Sequence, residues 1–378
     1  MLREFLLLRW FVMIIGIVGL PNCGKTSLFN ALTGGNAEAA TYAQTGAEPN
    51  VGMVKVPDQR VDRLSELYKP KKTTHATVEY IDLPGLPRGS VAEGARVTEF
   101  LKRAREVDAL VHVVRAFDDP SVPHPSESID PLRDVQDLEV ELMLSDLGII
   151  EKRLERIEAA LKKGVERQKH EKEKEVLSRF REVLEAEKPL RNLSITADEE
   201  KIIRGYRFLT LQPEIVVLNI SEDLIGSPEA TSLHEKVLEA LPGENAVIET
   251  ICAKIEMEII QLSPDEAQLF MDDLGIRESA MERLIHACYD LLGLISFLTV
   301  GEDEVRAWTI PRGTPAVRAA GTIHSDLERG FIKAEVISFD HLIEAGSMSH
   351  AREKGTLKLE GKEYTVMDGD IMHVKFNV

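Results

Sequence analysis

Within one octapeptide, Gly19-Leu-Pro-Asn-Cys-Gly-Lys-Thr26, two glycines, a lysine and a hydroxyl stand at the spacing of a phosphate-binding loop. Gly19 and Gly24 let the backbone bend until successive N–H groups converge on phosphate oxygens. Lys25 brings a point charge to the β- and γ-phosphates, and the Thr26 hydroxyl is a ligand for Mg²⁺. Further along, Asp82-Leu-Pro-Gly85 offers a carboxylate for the same ion and, at Gly85, an N–H for the γ-phosphate. The pattern assigns Lys25 and Gly85 to catalysis and Thr26 and Asp82 to the metal. Pro21, Asn22, Cys23, Gly24, Lys25, Thr26 and Ser27 are assigned to the nucleotide. The chemistry implied is Mg²⁺-dependent hydrolysis of a nucleoside triphosphate.

Two departures from a GTPase pattern limit that chemistry. GTPases often place a glutamine after DxxG to orient the attacking water. Here the residue is Leu86, which can neither donate nor accept a hydrogen bond. Where a GTPase carries Asn-Lys-x-Asp, this chain reads Asn219-Ile-Ser-Glu222. The aspartate that would pair with guanine N1–H and the exocyclic amine is gone, as is the lysine whose stem covers the base, so guanine selectivity is not expected. The longer Glu222 still leaves a GTPase or dual-specificity NTPase as the alternative. Cys252-Ala-Lys254 sits where a base-contacting backbone loop would lie, which makes Asn219, Ile220, Glu222, Cys252 and Ala253 the candidate base contacts.

Such a loop must leave a buried strand and enter a helix, and the flanking residues comply. The apolar run from Met13 to Gly19 predicts the strand, and Ser27 to Leu32 continues as a helix whose N-terminal dipole favours an anion. Strands are predicted at Val51 to Val56, Thr77 to Asp82, Ala109 to Val114, Glu214 to Asn219 and Ala246 to Ile251. A helix is predicted from Val97 to Arg105. That alternation is the signature of a parallel α/β sheet.

Between these halves the period changes. Val140, Met143, Leu147, Ile150, Leu154, Ile157 and Leu161 step by three and four, the seam of a coiled coil. Gly164 breaks it, Glu166 to Glu175 reads as a solvated charged tip, and apolar positions resume at Val176, Phe180 and Val183. The expected object is an antiparallel helical hairpin. Between Glu151 and Lys188 it carries 12 lysines and arginines against 10 glutamates, in a chain whose formal charge is −18. A protruding arm less acidic than its parent suits RNA or an acidic partner. From about Ile295 short strands and turns predict a small α+β domain. His112 and Trp308 read as packed core residues.

The chain has 378 residues, too many for one core, and its acidity argues against coating nucleic acid with the whole surface. Three cysteines without a CxxC pair fit a reducing cytosol. Residues 1–12 are apolar but lack a cleavage site and are taken as an N-terminal extension, and no membrane span is visible. The domain reading is 1–12 extension, 13–134 and 208–294 nucleotide domain, 135–207 helical insertion, and 295–378 C-terminal domain.

Together these residues resemble the YchF-type, or Obg-like, ATPases of the TRAFAC class. The resemblance is carried by Gly16 to Lys25, Glu48-Pro-Asn-Val-Gly52, Arg105-Glu-Val-Asp-Ala109, Val111-His-Val-Val-Arg115, and Asn219 with Glu222. Val305 to Ile310, Gly330 to Val336 and Asp368 to His373 extend it to the C-terminus. It implies a Ras-like P-loop NTPase domain with an inserted coiled-coil hairpin and a C-terminal TGS domain of β-grasp fold. It also implies ATP preferred over GTP, a hydrophobic residue in place of the catalytic glutamine, and association with the ribosome through the arm and TGS domain. A cytoplasmic monomer is expected. Asn22 matches a position that helps bind K⁺ in related GTPases, so K⁺ stimulation is expected. Two segments depart from the family: Tyr42-Ala-Gln-Thr-Gly-Ala47 and Ala92-Glu-Gly-Ala-Arg-Val97, both switch regions by position. A separate possibility is a scaffold in which nucleotide only sets conformation.

Overall fold

Strands made of unbroken apolar residues need cover on both faces. β1 (Met13–Val18) and β5 (Ala109–Ala116), the latter buried at every position, lie side by side inside a six-stranded sheet. Its order is β2 (Asn50–Lys55), β4 (Thr77–Asp82), β1, β5, β6 (Glu214–Ile220), β7 (Val247–Ile251). From β1 to β7 each neighbouring pair is parallel, so those four strands end at one edge, where open α/β sheets bind ligands. Helix α1 (Lys25–Thr33) follows β1, and α3 (Gly94–Ala104) precedes β5. This computed structural model describes residues 13–35, 49–86, 94–164, 166–241 and 246–377. The extension at 1–12 and the switch segments 42–47 and 92–97 lie outside them, apart from the helical backbone at 94–97.

The helical insertion departs from its expected seam. Helix α4 (Pro131–Lys162) starts on the sheet, where Leu138 and Leu142 join Val18, Leu83, Phe100 and Leu110 in one core cluster. Val140 is 41% exposed, because over these first turns the buried stripe faces the sheet and not a partner helix. The seam begins at Met143, with Ile150, Leu154 and Ile157 against Val176, Leu177 and Phe180 of α5 (Arg167–Glu185). The tip is also shorter than the charge run suggests. Helix α4 ends at Lys162, Gly164 takes a φ of 71°, and α5 begins at Arg167, so most of the charged stretch is helix. Charged side chains are good helix formers, and Glu173 is buried, accepting from Arg153 Nε and Nη2 at 2.9 and 2.8 Å and from the Tyr206 hydroxyl.

Buried polar ties join this insertion to the sheet. Fully buried Asp146 of α4 accepts from Arg105 Nη1 (2.8 Å), the Leu209 and Thr210 amides (3.0 and 2.8 Å) and the Thr210 hydroxyl (2.9 Å). Arg191 pairs with Glu139 at 2.7 Å and with Glu214 at 2.9 Å, and His112 Nδ1 lies 3.1 Å from Glu214 Oε1.

The C-terminal unit contains a partnership that the sequence did not disclose. Its sheet runs β11 (Lys358–Glu360), β10 (Phe331–Ser338), β12 (Asp370–Phe376), β8 (Leu294–Val300), β9 (Glu304–Pro311), β3 (Lys72–Thr74). Strand β3 pairs in parallel with β9, Thr73 opposite Val305, and Thr74 Oγ1 donates to Glu304 at 2.6 Å. Arg60, on α2 (Gln59–Tyr68), reaches Asp368 at 2.7 Å. By contacts the chain divides into Ile14–Gly52 with Glu79–Leu284, and Met53–Val78 with the residues from Ile285. Three residues of β3 carry no apolar alternation, which is why this strand escapes a periodicity search. Trp308 packs in this unit's core beside Phe297.

Burial pushes the His112 imidazole down to about 4 from its ordinary 6.5, and Arg191 already balances the nearby carboxylate charge. Unfolding therefore takes up a proton between those values. The stabilisation is complete above pH 6.5 and is lost as pH falls through 4. Urea unfolding should show the wild type losing more stability than a His112→Gln protein across that window. Parallel losses would contradict it.

Candidate nucleotide-binding site

The turn out of β1 uses backbone conformations that few residues tolerate. Asn22 has a φ of 62° and Gly24 a φ of 98°. Asparagine is among the side chains that accept the left-handed region, and Gly24 has a second constraint, since a Cβ there would lie 2.2 Å from Asn219 Nδ2. Helix α1 starts directly after, with no side chain capping its N-terminus. Its first amides are thus left for an anion, in the sense of the dipole.

Lys25 lies inside this turn, 8% exposed. Its Nζ donates to the carbonyls of Leu20 (2.8 Å) and Gly19 (3.3 Å), and among the described residues no carboxylate comes within ion-pair distance. A buried ammonium held by neutral carbonyls and the Cys23 sulfur is electrostatically incomplete, and a polyphosphate would complement it.

Thr26 Oγ1 donates to Asp82 Oδ2 at 2.7 Å, which brings the two predicted metal ligands together. Burial raises the Asp82 carboxyl above its usual value, while the Thr26 hydrogen bond and the Lys25 charge pull the other way. Two hard oxygens suit Mg²⁺, which keeps several waters and takes the rest of its shell from substrate phosphates. No cluster of three or more His, Cys, Asp or Glu side chains that could hold a metal exists among the described residues, so an all-protein cage is not what the pair belongs to.

Gly85 approaches the loop closely. A Cβ there would lie 3.0 Å from the Pro21 nitrogen and 3.1 Å from Lys25 Nζ. Leu86 donates its amide to the Gly19 carbonyl at 3.3 Å, and its side chain, 1% exposed, is packed with Leu83 and Phe100. The residue after DxxG is therefore both chemically inert and turned into the core.

On the base side, Asn219 is 4% exposed with both ends of its amide in use. Its Nδ2 donates to the Cys23 carbonyl at 3.0 Å, and its Oδ1 accepts from the Ala253 amide at 3.1 Å. It ties the phosphate loop to the first turn of the helix Ala253–Ile259 that follows β7, where the sequence suggested a loop. Ile220 and Cys252 bury their side chains in one core cluster. Exposed Glu222 pairs with Lys254 at 2.7 Å. Pro21 and Ser27 are half-buried on the loop and at the start of α1. Burial pushes the Cys23 thiol up, the direction of an unreactive side chain.

Sequence reasoning missed the loop after β5. Arg115, 2% exposed, sits near the end of that strand, and the half-buried Phe117 ring faces the phosphate loop at Gly24. Asn22 Nδ2 donates to the Pro123 carbonyl at 3.0 Å. The available signal was an arginine closing a strand of apolar residues, where a charge needs a reason.

The family model described as a 50S ribosome-binding GTPase matches residues 14–153, and YchF-GTPase_C, described as a protein of unknown function, matches 294–377. The chain is 44% identical over 366 residues to the ribosome-binding ATPase YchF of Bacillus subtilis, covering 96% of this chain and 99% of that one. The chain belongs to the YchF family. A second YchF relative, from Pasteurella multocida, is 42% identical over 363 residues with the same coverage of each chain. The solved Schizosaccharomyces pombe YchF GTPase superposes with a TM-score of 0.82 at 31% identity, over 96% of this chain and 97% of that one. The mixed α/β P-loop architecture with a β-rich C-terminal part is thus the YchF fold. The bacterial relatives are named ATPases and the yeast protein a GTPase, so the choice of nucleotide falls to the chemistry of the base site.

Replacing Asn219 by Ala leaves a buried carbonyl and a buried amide unpaired, at a cost of ~1–3 kcal/mol. Urea unfolding should register this loss. Asn219→Asp should not restore it, because a carboxylate cannot donate to the Cys23 carbonyl.

Proposed function

We propose that this chain is a Mg²⁺-dependent ATPase of slow intrinsic turnover that prefers ATP to GTP and works with the ribosome in the cytoplasm. The observation that carries this reading is the buried Lys25 ammonium, without a carboxylate partner among the described residues, set beside the Thr26–Asp82 pair. Lys25 and the first amides of α1 would hold the triphosphate. Thr26 and Asp82 would hold Mg²⁺, which when bound offsets phosphate charge. Gly85, close to Lys25 Nζ, would be the backbone group that responds to a γ-phosphate.

Slow turnover follows from Leu86, whose buried side chain leaves that position without a group to orient water. Preference for adenine is supported by Glu222, whose carboxylate is engaged by Lys254 instead of standing free for guanine. The yeast relative, named a GTPase, keeps GTP hydrolysis as the alternative. Ribosome association rests on the names of the bacterial relatives, and the helical arm is the element whose local charge favours RNA. K⁺ stimulation would use Asn22, whose amide nitrogen donates one hydrogen to the Pro123 carbonyl and whose oxygen accepts from none of the described residues.

One experiment addresses these points: nucleotide titration and steady-state hydrolysis with ATP or GTP, in KCl or NaCl, with and without ribosomes. ATP should bind more tightly than GTP, turnover should be low and rise with K⁺ and ribosomes, and Lys25→Ala should weaken ATP binding about 10- to 100-fold. Equal affinity for GTP would replace the adenine preference with dual specificity. Unchanged binding by the Lys25→Ala protein would remove the nucleotide reading.

A further inference from the structure

Arg115 is the most buried arginine described, 2% exposed on a strand whose other members are nearly all apolar. Taking a guanidinium out of water costs several kcal/mol unless its N–H groups find acceptors. Here the acceptors are backbone carbonyls alone. Nε donates to Phe117 (3.1 Å), one terminal nitrogen to Val122 (2.9 Å) and the other to Asp119 (3.2 Å). No carboxylate pairs with it among the described residues. The guanidinium also lies over the Phe117 ring, 4.5 Å from its centre. One side chain thus serves as the core of the loop from 117 to 122.

That loop flanks the phosphate loop at two points. A Cβ built on Gly24 would lie 3.9 Å from Phe117 Cε1, and the Pro123 carbonyl accepts from Asn22. Asn22 and Gly24 are the two left-handed residues immediately ahead of Lys25. We propose that Arg115 is a positioning residue for nucleotide binding, acting through Phe117 and Pro123 to hold the Asn22–Gly24 stretch in shape. This rests on the nucleotide reading above. Lysine cannot replace it, because three tetrahedral donors do not reproduce a planar fork aimed at three carbonyls.

The test measures ATP affinity on the full chain in NaCl, with kcat, KM and nucleotide-free melting, for wild type, Arg115→Lys, Arg115→Met and Asn22→Gly. The last variant keeps the left-handed backbone and deletes the amide that reaches Pro123; it also removes the oxygen proposed for K⁺, which the NaCl buffer keeps out of the comparison. Arg115→Met should raise the ATP dissociation constant about tenfold, with Arg115→Lys in between, while kcat at saturating ATP stays within about twofold. Asn22→Gly should also weaken binding, and its combination with Arg115→Met should fall short of the product of the two effects, because both act through one loop. Arg115 variants that melt lower yet bind ATP as the wild type does would make Arg115 a packing residue and overturn the proposal. If they do not fold, Asn22→Gly decides, and unchanged affinity there overturns it as well. A wild type that binds no nucleoside triphosphate overturns the nucleotide reading and this role together; a wild type that binds while the variants bind equally overturns this role alone.

Discussion

A positive charge enclosed by neutral carbonyls is the constraint around which the nucleotide unit is arranged. Lys25 donates to two carbonyls of its own loop, and that loop is bent inward by residues at positive φ. The bend is held from three sides: by Asn219 on the Cys23 carbonyl, by Pro123 on Asn22, and by the Leu86 amide on Gly19. Asn219 sits near the end of β6, while Pro123 and Leu86 lie in the segments that follow β5 and β4. A parallel sheet delivers those ends to one edge, so the topology and the shape of the loop are one requirement.

The same arrangement explains why binding and hydrolysis are unequally provided for. Of the residues proposed to hold phosphate and metal, Lys25 is buried and Thr26 is bonded to Asp82, while the position proposed to handle water is occupied by a leucine packed in the core. Catalysis by positioning and charge needs its nucleophile ordered as well as its leaving group neutralised. On the proposed reading, a protein with only the second half would stay in its triphosphate-bound state until something supplied the first.

Much of this was legible in the chain. Loop spacing, DxxG and apolar runs located β1, β4, β5 and β6 almost to the residue, because phosphate chemistry and full burial each leave a local signature. Failures occurred where partner choice is non-local. The stripe of α4 switches from sheet to hairpin near Met143, which a single periodicity cannot express, so Val140 was misplaced. The charged stretch before Val176 looked like a loop because its one buried carboxylate, Glu173, is identified only by Arg153 and Tyr206, distant in sequence. Asn219 was legible as a candidate site residue, but its attachment to two backbones was not, since those partners lie far away in the sequence.

Strand β3 gives the chain a woven connectivity. The backbone leaves the nucleotide unit at Gly52, contributes β3 to the C-terminal sheet, and re-enters at Glu79, three residues before Asp82. The C-terminal unit is therefore not a bead at the end of a string. A protease or a cloning boundary near Leu284 would take β9 away from β3 and leave an unpaired strand behind.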